Sequence, residues 1–259
     1  MSVISNSTLA GSSGQGGAGY AIERSLRFNL ADSAYLNRTP SSAGNQKTYT
    51  YSTWIKRADV ATGRQVWFAA IPSGSNYVQF SFEVNNIKLY FRYNGGTSYV
   101  LTTDALFRDT SAWYHVVIAV DSTQATSTDR VKIYVNGVNY SYTGTVLPQN
   151  SDTTINSAVQ HAISSYQPYG SSAYFNGYMA DVHFIDGQAL TPSDFGEYDD
   201  NNVWQPKEVD SSLLVAGITN ATGALSLYNL GANHATKASP VSFSPSMPSI
   251  LARLVEGRL

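Results

Sequence analysis

The sequence predicts an all-β protein: an antiparallel two-sheet jelly-roll sandwich with extended N- and C-terminal arms. Three observations lead to this fold class. Apolar and polar residues alternate at a period of two along most of the stretch from about residue 23 to residue 200. Turns rich in Asn and Gly separate these alternating segments, without the helical spacing of βαβ units. Only 13% of the residues are charged and 18 are Tyr, a composition typical of β proteins with polar surfaces.

The strands can be followed along the chain by their alternation. Residues 48–57 place Tyr49, Tyr51 and Ile55 on one face. Residues 112–121 are apolar at nearly every position, which predicts a central strand covered on both faces. The predicted strand segments are 24–30, 48–57, 64–70, 76–84, 87–93, 97–101, 112–121, the hairpin 130–142, and 173–186. The side chains expected in the core are Trp113, Val117, Ile118, Val120, Ile133 and Val135.

Turns and one short helix complete the pattern. A turn at Asn85-Asn86 joins two strands, and Asn-Gly at 136–137 supplies the positive φ angles of a tight hairpin. After the last long strand, Thr191 predicts a helix N-cap, and Asp194 places negative charge in the first turn, where it stabilises the helix dipole. These signals predict a β domain with a single short helix.

The chain divides into three parts. Residues 1–20 form a Gly/Ser-rich arm, residues 21–200 form the jelly-roll domain, and residues 201–259 form an extension that ends in a short helix. We expect neither arm to hold a fixed conformation alone, because the first is linker-like and the terminal helix is too short to be stable by itself. We therefore expect neighbouring chains to hold both. The apolar stripe of that helix consists of Ile250, Leu251, Leu254 and Val255.

Composition excludes several classes of protein. The net charge of −2 and the low charge content argue against a nucleic-acid binder, which needs clustered Lys and Arg. No apolar run approaches the length of a membrane span, about 18 residues or more. The absence of cysteine excludes disulfides and Cys-based metal sites. The first residues resemble no secretory signal, so we expect synthesis and assembly in a cytosol.

The order of four motifs resembles a known superfamily. TWIKR, WYHVVIAVD, KIYVNG and FNGYMADVHFIDGQALTPSDF follow one another as in laminin-G-like, concanavalin-A-like jelly-roll domains. The opening SLRFNLADSAYLNRTPSSAGNQKTYTYSTWIKR and the phrase DVHFIDGQALTPSDFGEYD are similar to versions in tailed-bacteriophage virion proteins. The resemblance implies a virion structural protein, assembled in the cytoplasm of the host bacterium.

This resemblance leaves several roles open. It implies a lectin-like domain on a tail fibre or adhesin that binds host surface glycans, or alternatively a capsid decoration such as a head fibre or cement protein. The expected partners are other tail or capsid proteins, contacted through the arms, and further copies of the chain. A polysaccharide depolymerase is a third reading. Paired glutamates of the Glu-x-Asp-x-x-Glu type are absent, so we expect no enzyme activity.

Calcium is the cofactor that the superfamily suggests, if any is bound. Asp121 and Asp129 flank a loop between two strands, and Asp181 lies in the last core strand. Together they are candidates for a laminin-G-type rim site, because Ca²⁺ prefers carboxylate and carbonyl oxygens. The alternative, which we favour, is that the first two form turns and the third hydrogen-bonds to backbone.

Glycan binding is predicted from tyrosine-rich segments. Sugars stack their apolar faces on aromatic rings, and Tyr gives a large contact area at small entropic cost. The loop 161–178 carries such residues, and a second cluster of them lies at the end of a hairpin. The alternative is that these tyrosines fill the sandwich or face neighbouring subunits. The candidate glycan-binding residues are Tyr166, Gln167, Tyr169, Tyr174, Arg92 and Tyr93.

Overall fold

A computed structural model shows the architecture of the chain. The residues that it describes are 20–22, 24–61, 63–93, 95, 97–166, 173–210, 213, 236–237 and 242–243. Their strands are β1 (Leu26–Phe28), β2 (Leu36–Arg38), β3 (Thr48–Arg57), β4 (Arg64–Ser73), β5 (Asn76–Glu83), β6 (Asn86–Tyr93), β7 (Thr97–Thr103), β8 (Tyr114–Asp121), β9 (Val131–Val135), β10 (Val138–Tyr140), β11 (Tyr142–Gly144), β12 (His161–Ile163), β13 (Gly177–Asp186), β14 (Gly196–Tyr198), β15 (Trp204–Pro206), β16 (Thr236–Lys237) and β17 (Ser242–Phe243).

The strands form two large antiparallel sheets that pack face to face. The first sheet has the order β10-β9-β8-β3-β13-β1-β17, and the second has the order β11-β7-β6-β5-β4-β12-β2-β16. Strands β14 and β15 form a separate two-stranded ribbon. This arrangement confirms the predicted all-β sandwich.

Aromatic side chains from both sheets meet between them. Tyr51 of β3 contacts Phe68 of β4 and Phe80 of β5, with ring centroids 4.4 and 5.9 Å away. Trp67 lies 5.5 Å from the Tyr51 ring and is fully buried. The inward face of β3 is the one that its alternation predicted, since Ile55 also lies in this core.

Strand β8 is covered on both faces, as predicted. Its residues Ile118 and Val120 face the inter-sheet core, whereas Val117 packs on the outer side against Ile185 and Phe195. The expectation for Trp113 was wrong. This residue precedes β8 at the end of the sheet and is only partly buried, with its ring 6.5 Å from that of Tyr178. Of the other residues expected in the core, Ile133 and Val135 are buried.

The turns agree with the sequence except in one detail. Asn136 and Gly137 have φ angles of 49° and 80°, as a tight hairpin requires. The turn before β6 lies one residue earlier than expected, at Val84-Asn85, with φ of 54° at Val84. Buried Arg57 donates hydrogen bonds to the Val84 carbonyl (2.9 Å) and to another backbone carbonyl, which hold this conformation in place.

The predicted short helix is a 3-10 turn at Pro192–Asp194. Asp194 Oδ2 accepts a hydrogen bond from the backbone N–H of Thr191 at 2.9 Å, which is the reciprocal half of a capping box. Another 3-10 turn spans Ser127–Asp129. No helix among the described residues has the length and apolar character needed to cross a membrane.

Two segments of the C-terminal extension pair with their own domain. Strand β16 pairs with β2, and β17 pairs with β1, so each lengthens one sheet at its edge. Residues 1–19, the predicted terminal helix and most of the extension lie outside the described residues. The expectation that neighbouring chains hold the arms stays a prediction.

Trp67 is buried and Trp113 is only partly buried, so we expect their removal to change stability by different amounts. Trp67→Ala leaves a large cavity between the sheets, and we expect a loss of about 3–5 kcal/mol in the free energy of unfolding. Trp113→Ala removes a partly exposed ring and should cost less than about 1.5 kcal/mol. Urea unfolding of both variants measures the difference. Equal losses would contradict this account of the core.

Candidate functional site

The outer face of the second sheet carries a group of aromatic and basic side chains. We call Arg64, Tyr77, Tyr90, Arg92 and Tyr166 the aromatic-arginine cluster. Strand alternation turns these β5 and β6 side chains outward, because the residues between them face the core. The antiparallel register then places Tyr77 of β5 directly opposite Arg92 of β6.

Two tyrosine rings form the centre of the cluster. The rings of Tyr77 and Tyr166 meet edge to face, with centroids 5.1 Å apart and an interplanar angle of 88°. The guanidinium of Arg92 lies over the Tyr77 ring at 5.8 Å, and that of Arg64 lies over the Tyr166 ring at 5.6 Å. Each tyrosine thus carries a cation on its face, an arrangement that attracts through the ring quadrupole.

Tyr166 reaches the cluster because the chain directly after β12 stays beside β4, where the backbone N–H of Ser164 donates to the carbonyl of Trp67 at 3.2 Å. Strand β12 pairs with β4, and the backbone N–H of Val66 in β4 donates to the carbonyl of Ala173 at 2.8 Å. Val66, Tyr77 and Ala173 form a small buried apolar cluster, against which Tyr90 and Tyr166 pack. This packing gives the two partly exposed rings a rigid support.

The carboxylate nearest to the cluster is already bound. Glu83 accepts a hydrogen bond from the Tyr90 hydroxyl at 2.7 Å and forms an ion pair with Lys88 at 2.9 Å. Burial, and then the bond to Glu83, raise the pKa of the Tyr90 hydroxyl. Burial also raises the pKa of Tyr166, while the charges of Arg64 and Arg92 oppose that rise. Both hydroxyls are therefore neutral donors at physiological pH.

A buried amide lies on the same face of β5. Gln79 is fully buried, and its Nε2 donates to Ser81 Oγ at 3.3 Å. Its Oε1 is also buried and accepts no hydrogen bond in the structure. A buried acceptor without a donor is costly, so a donor that reached this oxygen would be stabilised there.

The structure brings together two of the predicted glycan-binding residues, Tyr166 and Arg92. Tyr93, the neighbour of Arg92, faces the opposite way, stacks on Tyr99 at 5.2 Å and hydrogen-bonds to Ser151. The reason is the strand alternation itself, which sends adjacent side chains to opposite faces.

The remaining predicted residues of that site are placed differently. Tyr174 is buried, with its ring 6.1 Å from that of Tyr35, so it presents no open ring. Gln167 and Tyr169 lie outside the described residues. Sequence reasoning missed Tyr77, although its place on the polar side of the β5 alternation could have indicated it.

The three aspartates proposed for calcium do not form one site. Asp121 accepts hydrogen bonds from three side chains and a backbone N–H of its own and neighbouring turns. Asp129 pairs with Lys132 at 2.7 Å. Asp181 Oδ1 accepts from the Tyr20 hydroxyl at 3.1 Å and contacts a histidine. No three His, Cys, Asp or Glu side chains of the described part of the chain are grouped so that they could hold a metal ion together.

A serine–histidine pair on the outer face of the first sheet is not arranged for catalysis. Ser52 Oγ lies 2.9 Å from His115 Nε2, and both residues are buried. The Nε1–H of Trp204 donates to His115 Nδ1 at 3.0 Å. Since an indole N–H can only donate, Nδ1 must be unprotonated, and Nε2 carries the proton toward Ser52. This tautomer cannot accept the serine proton, as a general base must.

The sequence matches a laminin G-type family model described as the concanavalin A-like lectin/glucanases superfamily over residues 30–194, more than half of the chain. No curated protein matches the chain. Similar solved structures include a heptameric SAP-like pentraxin from Limulus polyphemus, at 15% identity and a TM-score of 0.49. That match covers 66% of this chain and 80% of the pentraxin.

Two further similar structures have the same kind of distant match. Domains LG4-5 of the mouse laminin α1 chain are 13% identical with a TM-score of 0.48, over 75% of this chain and 47% of the laminin chain. Domain 4 of an extracellular arabinanase from Geobacillus stearothermophilus, solved with arabinotriose, is 20% identical with a TM-score of 0.48. The match covers 65% of this chain and 73% of the arabinanase domain's chain.

Two buried histidines predict how stability depends on pH. Burial lowers the pKa of His115 to about 3 and that of His161 to about 4. Unfolding returns both to about 6.5, so below that pH the unfolded chain binds protons that the folded chain does not. Above about pH 6.5, we expect the two histidines to leave the free energy of unfolding unchanged. It should fall steadily from there toward pH 4, as measured by urea unfolding at several pH values.

The control removes one of the two titrating groups. His161 Nε2 accepts from the Asn156 N–H at 2.9 Å, and its Nδ1 hydrogen-bonds to the Val159 carbonyl. His161→Gln keeps an acceptor but cannot titrate, so the variant should be less stable at pH 7.5 and should lose less stability on acidification. An unchanged slope against pH would show that His161 is not held neutral.

Proposed function

We propose that this chain is a non-catalytic, lectin-like domain that is displayed on the surface of a bacteriophage virion and binds carbohydrate of the host. The chain belongs to the concanavalin A-like lectin/glucanases superfamily. The observation that carries the proposal is the aromatic-arginine cluster. It combines the partly exposed ring of Tyr166, the buried ring of Tyr77 that supports it, and the guanidinium donors of Arg64 and Arg92. Aromatic surface with a few placed polar groups is the usual composition of a small-ligand site.

The chemistry of the cluster suits binding rather than hydrolysis. Glycosidases need two carboxyl groups on either side of the scissile bond, one of them able to donate a proton. The carboxylate beside the cluster, Glu83, is held by Lys88 and Tyr90. Release of reducing ends from a bacterial polysaccharide by the purified chain would instead favour the depolymerase reading.

The placement on a virion is supported by sequence features. The segments SLRFNLADSAYLNRTPSSAGNQKTYTYSTWIKR and DVHFIDGQALTPSDFGEYD resemble those of tailed-bacteriophage virion proteins. A chain without cysteine suits assembly in a reducing bacterial cytoplasm. Within this proposal the chain is part of a tail fibre or adhesin, forms homo-oligomers and contacts other virion proteins through its arms.

Removing the partly exposed ring of Tyr166 tests glycan binding. Tyr166→Ala should weaken binding to a bacterial polysaccharide array and to host cells at least about tenfold, because truncation of a central aromatic anchor costs about 2 kcal/mol or more. The matched control is Tyr198→Ala, which removes an exposed tyrosine from the separate β14–β15 ribbon. Wild-type binding by the Tyr166 variant, at an unchanged melting temperature, would remove the cluster from the proposal.

Location on the particle separates the tail role from the capsid role. We expect antibody against residues 21–200 to label the tails of purified virions in electron micrographs, and the isolated domain to compete with phage adsorption. Labelling of capsids, without competition for adsorption, would show a decoration protein. Particles that lack the chain by mass spectrometry would contradict the virion role.

A further inference from the structure

We infer that the aromatic-arginine cluster selects an acidic glycan, whose sugars carry anionic groups, over a neutral one. The inference rests on the proposed function, since it takes glycan binding at this cluster as given. The inference specifies the chemical class of the ligand. Two separate observations support it: the geometry of the rings and the charge of the cluster.

The geometry concerns what covers the rings. A neutral sugar stacks its apolar C–H face on an open aromatic face. In this cluster Arg64 lies over the Tyr166 ring, and Arg92 lies over the Tyr77 ring. Tyr77 is buried and Tyr166 is only partly exposed, so a ligand that reaches the cluster from the side of the arginines meets guanidinium N–H groups before it meets ring carbon. A planar guanidinium matches a carboxylate or a similar oxyanion with two parallel hydrogen bonds.

The ring contacts also restrict the positions of the guanidinium N–H donors. A guanidinium resting on an aromatic face loses less freedom when it binds a ligand than one that moves in solvent. Arg64 sits on Tyr166, and Tyr166 in turn packs on Tyr77 at the edge of a buried apolar cluster. The two cations are therefore carried on adjacent rings of one rigid support.

The local charge favours the same ligand. Burial raises the pKa values of the Tyr90 and Tyr166 hydroxyls, so neither adds a negative charge beside the arginines. Arg64 forms no ion pair with a carboxylate of the described residues, and Glu83, its partner across the strands, is bound by Lys88. The chain as a whole is slightly acidic, with a net charge of −2. A positive cluster on such a chain attracts anions locally rather than nucleic acid along an extended surface.

The test compares polymers that differ in charge. The full chain is titrated by calorimetry with polygalacturonate, with the same polymer after reduction of its carboxyl groups, and with dextran sulfate. We expect polygalacturonate to bind at least tenfold more tightly than its reduced form, and its affinity to fall with added salt. Dextran sulfate binding with comparable affinity would identify the anion as a sulfate ester as well as a carboxylate.

Variants assign the effect to the two arginines. Arg64→Gln combined with Arg92→Gln should abolish the preference for the charged polymer, whereas Arg108→Gln, the same change at an exposed arginine after β7, should leave it intact. Loss of charged-polymer binding in both variants would show nonspecific attraction and overturn the inference. Equal binding of the charged and reduced polymers would also overturn it and leave the proposed function standing. Binding of no polymer, and of nothing on the polysaccharide array, would instead reject the proposed function.

Discussion

The contact between the aromatic faces of the two sheets is the constraint on which the rest of the molecule depends. Tyr51 packs against Trp67, Phe68 and Phe80 across the interface, and these side chains are fully buried. Because side chains alternate along a strand, the burial of one face decides which residues the other face presents. Tyr77 and Arg92 are outward residues for this reason. A slip of one residue in β5 or β6 would turn them toward the inter-sheet core and turn core side chains outward.

The two outer faces of the sandwich differ in how far the described residues cover them. On the first sheet, residues that follow β13 cover the surface, with Phe195 and Val209 packed against Val117. The indole of Trp204 closes over His115 and fixes its neutral tautomer. On the second sheet, Tyr166 and its neighbours remain partly exposed. Among the described residues, the first sheet is thus covered around Val117, whereas Tyr90, Arg92 and Tyr166 on the second sheet stay partly exposed.

Superfamily membership narrows the function without choosing it, because one fold hosts binding and hydrolytic sites alike. The choice rests on particular side chains. The carboxylate Glu83 is engaged by its neighbours, and the Ser52–His115 pair holds its proton on the wrong nitrogen for a base. What is left on the second sheet is a set of donors on a rigid aromatic support. Guanidinium groups over the rings make that support cationic, which open tyrosines would not be.

Local patterns were enough to predict the long strands, because alternation and turn chemistry are encoded within a few residues. The short strands β2, β12, β14 and β15 were missed, and β12 lies at the start of the segment expected to be a loop, 161–178. The inward face of β3, the hairpin at Asn136 and the cap at Thr191 all follow from such patterns. The limits of a strand depend on its neighbours in the sheet, which is why Trp113 was wrongly placed in the core. The meeting of Tyr166 with Arg92 through Tyr77 was also beyond the sequence, since it requires β12 to pair with β4 and β5 with β6. Contacts between residues far apart in the chain are set by sheet order and register, and only the folded structure fixes both.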